Sequence, residues 1–168
     1  MANEHSYLID PHEGKFLALG GVGMVFKIDG DAVGRAFSIV EEPIEPGRLV
    51  PPHTHTREDE ITYVLAGEIG VRVGGRDLVA TAGSYVIKPR SIPHAYWNAT
   101  REPARILEIF SPAGFEQYFG ELAELLAQGT PPIDTLTRLR SKYGATSQGM
   151  EWVPELKAKY GLKLLGEA

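Results

Sequence analysis

Short runs of alternating apolar residues, separated by glycine and proline, fill the chain between Phe16 and Phe110. In the run from 69 to 73, apolar residues alternate with small or charged ones, and a Gly74-Gly75 pair follows. This pattern is typical of a half-buried strand that ends in a tight turn. About eight such segments at this spacing predict an antiparallel sandwich or barrel. The chain is therefore expected to be all-β over this region.

Composition limits the class of protein further. The chain has 168 residues with 43% hydrophobic and 23% charged side chains, which fits one ordinary globular domain. A net charge of -5 gives no electrostatic support for binding nucleic acid. No apolar run approaches the ~20 residues of a membrane span, and the N-terminus lacks the blocks of a signal peptide. We expect a cytoplasmic protein that binds neither nucleic acid nor membrane.

The hydrophobic period changes from strand to helix after Ser111-Pro112. Apolar residues recur at helical spacing in a first segment that ends near Gly129, in a second that opens at 130–132, and in a third that runs from Pro154 to Gly161. We predict an N-terminal arm (1–15), a β-barrel domain (16–110) and C-terminal helices (111–168). The helices could form an oligomerisation arm or a lid, but packing on one face of the barrel is the favoured interpretation.

Three potential metal ligands lie close together in the sequence. His53 and His55 are two residues apart, so on a strand their side chains leave the same face. Glu60 would face the other way on a straight strand, but the polar run from Thr56 to Asp59 is suited to a bend that returns it. Because the chain has no cysteine, imidazole and carboxylate are the ligands it can offer a borderline divalent metal.

His94 is the remaining histidine of the patterned region, on a predicted strand face shared with Tyr96 and Asn98. Taken singly, each of these side chains has a simpler interpretation: a His-x-His pair is more often hydrogen-bonded or solvated, and a lone strand histidine is more often a core residue. The run from Arg57 to Asp59 is better explained as a solvated turn than as catalytic groups. Asn98 is more often a structural hydrogen-bonding residue than a substrate contact.

The spacing of these residues resembles the two motifs of the cupin superfamily. The first motif, G-x5-H-x-H-x4-E-x6-G, is matched at every position by Gly47, His53, His55, Glu60 and Gly67. The second, G-x5-P-x-G-x2-H-x3-N, is matched by Gly83, Pro89, His94 and Asn98, while Ser91 stands where the family usually has glycine. A glycine there commonly supplies a positive φ, so Ser91 either carries that strain or the loop turns differently.

The resemblance implies a fold and a metal centre. The fold would be a double-stranded β-helix, the jelly-roll or cupin barrel, here with a C-terminal helical tail. The metal ligands would be His53, His55, Glu60 and His94. Such a set suits one divalent transition metal, Mn, Fe, Co, Ni, Cu or Zn, without choosing among them. Four protein ligands on a six-coordinate ion would leave two open positions, as a catalytic site requires.

Strand alternation extends the prediction to the cavity beside the metal. If Glu60 and His94 point inward, Thr62, Val64, Ile92 and Tyr96 do so too, and we predict that these four residues bind substrate. They are mostly apolar, with one or two hydroxyl groups. Such a pocket suits a small, flat or apolar organic ligand better than a sugar or a phosphate.

The region from Pro51 to Glu68, followed by the helical tail, is similar to small bacterial single-domain cupins of the quercetinase-like type. This implies a dioxygenase acting on a small aromatic or enol-bearing substrate, with Glu60 as both ligand and catalytic base. Two alternatives remain: a non-redox cupin that binds metal and a small ligand, and a cupin isomerase using Tyr96 as its acid or base. The resemblance also implies a possible homodimer that exchanges edge strands or N-terminal segments, and the polar arm before Phe16 is compatible with such an exchange.

Overall fold

The computed structural model describes residues 7–129, 131–165 and 167. Over this part of the chain it contains twelve β-strands and three α-helices. The strands are β1 (Lys15–Ala18), β2 (Gly23–Ile28), β3 (Ser38–Ile44), β4 (Arg48–His55), β5 (Asp59–Ala66), β6 (Glu68–Val73), β7 (Arg76–Thr81), β8 (Tyr85–Lys88), β9 (His94–Trp97), β10 (Ala104–Ser111), β11 (Ala145–Thr146) and β12 (Lys163–Leu164). The helices are α1 (Glu116–Ala127), α2 (Ile133–Lys142) and α3 (Val153–Tyr160).

The strands form two facing sheets. The first has the order β1-β2-β3-β10-β5-β8, and the second has the order β11-β4-β9-β6-β7 with β12 added in parallel to β4. The pairings within each ordered path are antiparallel, and the chain crosses repeatedly between the sheets, as in a jelly roll. The predicted all-β cupin barrel with a C-terminal helical tail is confirmed.

The barrel interior follows from the alternation of side chains along each strand. Val40, Val64, Ile69, Val71 and Ile106 are fully buried and belong to one continuous core between the sheets. Their neighbours along each strand point to the outside, so the core is a single layer of interdigitating side chains. This core fixes the registers that position the site.

The C-terminal helices do two different things. Leu156 of α3 packs with Leu49 and Trp97 on the outer face of the second sheet. Helix α1, by contrast, places Phe119 against Phe110 at the open end of the barrel and becomes part of the main core. The helices therefore both cover one face and close one end.

The N-terminal arm lies partly outside the described residues, because residues 1–6, including His5, are not among them. The part that is described is tied to the barrel: Lys27 Nζ donates hydrogen bonds to the carbonyls of Pro11 at 2.8 Å and Glu13 at 2.6 Å. The division into 1–15, 16–110 and 111–168 stays a prediction. Among the described helices, none has the length and apolar character needed to cross a bilayer.

Candidate metal centre

The second sheet and one strand of the first bring the four predicted ligands together. His53 lies directly opposite His94 in the β4–β9 ladder. Strand β4 ends at His55, residues 56–58 bend, and β5 begins at Asp59, so Glu60 returns to the interior as predicted. One potential ligand atom from each of the four residues lies within 4.8 Å of the other three. The cluster expected from the motif spacing is thus present.

Backbone carbonyl groups set the orientation of two imidazoles. His53 Nδ1 lies 2.8 Å from the Pro51 carbonyl oxygen, and His94 Nδ1 lies 3.1 Å from that of Ile92. A carbonyl oxygen can only accept a hydrogen bond, so each Nδ1 must carry the proton. Each Nε2 of a neutral ring then carries a lone pair, which is what a metal ligand requires.

No hydrogen bond joins the interior ends of these side chains. His55 Nε2 and His94 Nε2 lie 3.0 Å and 2.8 Å from Glu60 Oε2, yet these three buried atoms have no hydrogen-bonding partner of acceptable geometry. Lone pairs facing one another in a dry interior are unfavourable unless a cation lies between them. The residues therefore fit a bound metal ion, and the donor set is one that divalent transition metals prefer.

The electrostatics keep the ligands in the protonation states that coordination needs. Burial lowers the pKa of His53 well below its ordinary value, and burial likewise lowers the pKa of His94. Burial acts to raise the pKa of Glu60, but the neighbouring Lys88 ammonium opposes it, and that pKa lies well below its ordinary value. The neutral imidazoles of His53 and His94 thus face an ionised carboxylate.

A buried charge network lies behind Glu60, and the sequence predictions do not include it. Lys88 is 0% exposed, and its ammonium lies 2.6 Å from Glu60 Oε1 and 2.8 Å from Glu108 Oε1. Thr62 Oγ1 donates to Glu108 Oε1 at 2.9 Å. Nearby, the hydroxyl of Tyr96 donates to Glu42 Oε2 at 2.5 Å.

Strand register explains this network. Lys88 is opposite Glu60 in the β5–β8 ladder, and Thr62 is opposite Glu108 in the β5–β10 ladder. The alternation of side chains along the strands indicates that these two residues point inward, because Lys88 shares a strand face with Val86 and Glu108 shares one with Ile106. The sequence does not show which residues pair with Lys88 and Glu108, because their partners lie on other strands.

A cavity of about 450 Å³ leads from the ligand cluster to the C-terminal helices. Its inner end includes His53, His55 and Glu60, and its walls are mainly apolar. The Phe115 ring packs edge-on against His55 with 4.1 Å between ring centroids. The remaining lining includes Met24, Val50, Tyr96, Phe110, Tyr118, Phe119, Leu122, Leu126, Ile133, Leu136 and Arg140. Helix α1 thus supplies much of the wall.

The four predicted substrate-binding residues lie in different places. Tyr96 lines the cavity, whereas Thr62 and Val64 are fully buried in the barrel and are not among the lining residues. Ile92 is 38% exposed and is not among the residues that line the cavity, so its contact with substrate stays a prediction. Strand β9 begins only at His94, so alternation does not extend back through Pro93. Sequence reasoning missed the α1 residues because they come from outside the strand pattern.

The turn between β4 and β5 also differs from the prediction. Glu58, expected in a solvated turn, is 4% exposed, and its Oε2 lies 3.8 Å from His55 Nδ1. Burial raises the pKa of Glu58. Arg57 is exposed as expected, and Asp59 is paired with Arg90 at 2.7 Å. Glu58 therefore faces the back of a candidate ligand, where a carboxylate commonly orients a metal-binding histidine.

The loop before His94 adopts the geometry of the family motif in spite of its serine. Ser91 has φ of 64°, in the left-handed region, and its N–H donates to the His55 carbonyl at 2.7 Å. Asn98 donates through Nδ2 to the carbonyls of Ile44 and Glu102 and accepts from Thr100, so it holds the following loop together. Ser91 therefore adopts the positive φ that the motif glycine commonly supplies, and it carries the strain.

The sequence comparison agrees with the fold and the site. Residues 40–110 match the family model described as Cupin domain, a region that contains all four candidate ligands. Over this region the chain is similar to the cupin family.

Curated relatives match only part of their own length. The chain is 30% identical over 128 residues to the rhicadhesin receptor of Pisum sativum, covering 70% of this chain and 54% of the relative. It is 36% identical over 76 residues to germin-like protein subfamily 2 member 2 of Arabidopsis thaliana, covering 39% of this chain and 32% of the relative. The chain thus spans between a third and about half of these proteins. A quercetinase-like specificity stays a prediction, since the names of these relatives do not include it.

Solved structures share the fold at low sequence identity. KdgF from Halomonas sp. superposes with a TM-score of 0.60 at 19% identity, covering 67% of this chain and 98% of that one. A predicted oxalate decarboxylase from Thermotoga maritima superposes with a TM-score of 0.58 at 21% identity, covering 62% of this chain and 98% of that one. The polyketide cyclase RemF from Streptomyces resistomycificus superposes with a TM-score of 0.56 at 22% identity, covering 63% of this chain and 79% of that one. At these identities the likeness shows the fold and no particular reaction.

Proposed function

We propose that this chain is a metal-dependent cupin dioxygenase that acts on a small aromatic or enol-bearing substrate. The observation that carries the proposal is the position of the ligand cluster: His53, His55 and Glu60 form the inner end of an apolar, aromatic-lined cavity of about 450 Å³. A divalent transition metal bound there would act as a Lewis acid and could bring an enol-bearing substrate and dioxygen together. The metal could be Mn, Fe, Co, Ni, Cu or Zn.

The protein's own residues bind and orient the substrate. Phe115, Tyr118 and Phe119 form a cluster of rings along the cavity, with Phe115 and Tyr118 stacked at 5.0 Å between centroids. A flat aromatic body would gain both burial and ring contacts from this wall. Closing the cavity with apolar side chains also excludes water, which strengthens each electrostatic interaction at its inner end.

Glu60 is the catalytic residue of this proposal. Its Oε2 lies 3.0 Å from His55 Nε2 and 2.8 Å from His94 Nε2, and once displaced from a bound metal this oxygen would be positioned to accept a hydroxyl proton from a substrate. The hydrogen bond from Lys88 to Oε1 leaves Oε2 as the reactive oxygen.

A second function, metal-assisted isomerisation, is favoured by one observation. Tyr96 lines the cavity, and its hydroxyl donates to the buried carboxyl of Glu42. This pair provides a hydroxyl-carboxyl couple beside the metal site, as non-oxidative proton transfer requires. A non-redox cupin that only binds metal and a small ligand is the third candidate.

Oxygen consumption separates these functions. Purified protein would be stripped of metal, reloaded separately with Mn, Fe, Co, Ni, Cu and Zn, and supplied with flavonols, catechols and diketones. We expect oxygen uptake with at least one metal and substrate class. If the protein binds metal but no pair of metal and substrate gives oxygen uptake, the dioxygenase proposal is rejected. Product analysis by NMR then distinguishes an isomerase from a protein that only binds its ligand.

Ligand variants test the site itself. His53→Ala and His94→Ala should each lower metal occupancy, because each removes one nitrogen donor from a four-ligand set. His12→Ala, at an exposed histidine of the N-terminal arm, is the matched control. Full metal occupancy in either ligand variant would show that the assigned centre is wrong.

A further inference from the structure

Lys88 is a fully buried lysine in the barrel interior. Its ammonium contacts carboxylates from two other strands, Glu60 on β5 and Glu108 on β10, at 2.6 Å and 2.8 Å. It also lies 4.7 Å from the centroid of the Tyr96 ring. Burying an ammonium costs several kcal/mol before pairing recovers it, and an apolar side chain of similar size commonly serves stability as well or better. Fold stability alone does not explain a lysine here.

Lys88 contacts only one of the two carboxylate oxygens of Glu60. Oε1 accepts a hydrogen bond from the ammonium, while Oε2 lies near His55 and His94 without a hydrogen-bonding partner. A carboxylate whose Oε1 is held by an ammonium favours coordination through Oε2 alone, because turning Oε1 toward the ion would break that hydrogen bond. Lys88 therefore restricts how Glu60 can coordinate.

The ammonium is itself held in place. Glu108 is 0% exposed, accepts the second hydrogen bond from Lys88, and is fixed in turn by the hydroxyl of Thr62 at 2.9 Å and 3.0 Å. Because β8, β5 and β10 are adjacent in the first sheet, this chain of contacts is attached to three hydrogen-bonded strands. The position of Glu60 is thus fixed by the sheet and not by its own rotamer alone.

We propose that Lys88 is a positioning residue of the metal centre, which holds Glu60 as a one-oxygen ligand while Glu108 and Thr62 hold the ammonium. The inference rests on the metal-binding part of the proposed function and not on the reaction. It gives a role to Thr62 and Glu108 that does not require contact with substrate.

If Lys88 acts only through its charge, its removal should change the metal affinity in the opposite direction from the change expected if it positions Glu60. A positive charge close to a metal ion repels it, so loss of the ammonium should tighten metal binding if only charge matters. Loss of the partner that orients a ligand commonly weakens metal affinity by 10- to 100-fold. The direction of the change therefore identifies the role.

The deciding variant is the double substitution Lys88→Met/Glu108→Gln, compared with Lys88→Met alone. The single variant leaves Glu108 buried without its cation and can lose stability for that reason, whereas the double variant removes the ammonium and the Glu108 carboxyl group together and leaves Glu60 unanchored. Zn²⁺ affinity would be measured by competition with a chelator at one fixed pH, and coordination by the visible spectrum of the Co²⁺-loaded protein. Folding of each variant would be checked by circular dichroism.

We expect the folded double variant to bind Zn²⁺ about tenfold or more weakly and to show an altered Co²⁺ spectrum. Wild-type or tighter affinity in the double variant, or an unchanged Co²⁺ spectrum, would overturn the proposal. Lys142→Met is the matched control, because Lys142 also contacts a carboxylate, Glu121 at 2.6 Å, but on the surface. Since no substrate or dioxygen is used, failure of the dioxygenase assay would not affect this result.

Discussion

At the residue scale, Ser91 shows how a single departure from the family motif is tolerated. Its φ of 64° is one that a residue with a Cβ adopts at a cost of about 1–2 kcal/mol. Its N–H nevertheless makes a 2.7 Å hydrogen bond to the backbone of His55, a candidate ligand. The surrounding loop therefore imposes the conformation that glycine would adopt without strain.

Ser91→Gly should raise the free energy of unfolding by about 1 kcal/mol, because relief of strain exceeds the extra chain entropy of glycine. Urea unfolding of the metal-free protein measures this change. Ser84→Gly, at a residue outside the left-handed region, is the control and should destabilise. Equal or lower stability in Ser91→Gly would show that the loop is unstrained.

Glu42 predicts a pH dependence of stability. Burial raises its pKa from 4.5 to about 8, although the hydrogen bond from Tyr96 acts to lower it. The folded state then keeps a proton that the unfolded state has released, so the free energy of unfolding should fall as the pH rises from about 4.5 to about 8. Glu42→Gln cannot titrate and should show a flatter profile over this range in the metal-free protein. An unchanged profile would assign the dependence to another group.

At the element scale, α1 and α3 are both C-terminal helices, but they have different relations to the site. Helix α1 brings Phe115, Tyr118 and Phe119 to the cavity beside the ligands. Helix α3 packs Leu156 against Trp97 on the outside of the second sheet. A helix that lines the cavity should affect ligand binding, whereas one that covers the outer face should affect stability.

Leu122→Trp tests the cavity wall. Leu122 lines the cavity, so a larger side chain there should fill space and weaken binding of an anilinonaphthalene sulfonate dye by about tenfold, or about 1.4 kcal/mol. Metal stoichiometry should not change. Val79→Trp, at a residue that is 71% exposed on β7, is the control. Undiminished dye binding in the Leu122 variant would place the dye site elsewhere.

Leu156→Ala tests the outer helix. Leu156 is 0% exposed, and its loss should lower the free energy of unfolding by about 3 kcal/mol through lost burial and a residual cavity. Zn²⁺ affinity of the folded variant should equal that of the wild type. Leu126→Ala, at a residue that is 43% exposed, is the control and should lower the free energy of unfolding much less. A loss of metal affinity in Leu156→Ala would contradict the purely structural role of α3.

At the scale of the whole molecule, two apolar rows cross the outer face of the first sheet. Strand register aligns one row of isoleucines, Ile39, Ile109, Ile61 and Ile87, and beside it a row of Leu107, Tyr63 and Tyr85. Tyr85 and Ile87 are 71% and 67% exposed. A continuous apolar face is typical of an interaction surface, and two such faces could pack together as in a sandwich.

We expect a homodimer that pairs these faces. Light scattering should give twice the chain mass of 18.4 kDa for the wild type and the single mass for Tyr85→Lys, since a buried unpaired ammonium opposes association. Val79→Lys, equally exposed on the other sheet, should remain dimeric. A monomeric wild type, or a dimeric Tyr85 variant, would argue against this interface.

The sequence by itself determined the barrel and the ligand cluster. Alternation, turn residues and the motif spacings are local properties, so they predicted the strands and the bend that returns Glu60 without any knowledge of packing. The C-terminal helices were predicted for the same reason, with Gly129 and Gly161 at their ends.

Only the tertiary structure decided what surrounds the ligands. Lys88 acquires its partners Glu60 and Glu108 through cross-strand register, which depends on strands distant in sequence. Phe115 reaches His55 because α1 folds back over the barrel end. Ile92 is not among the cavity-lining residues, and it lies before β9, which begins two residues later at His94. Local periodicity predicts which residues share a face, but which faces meet is set by how the sheets and helices pack.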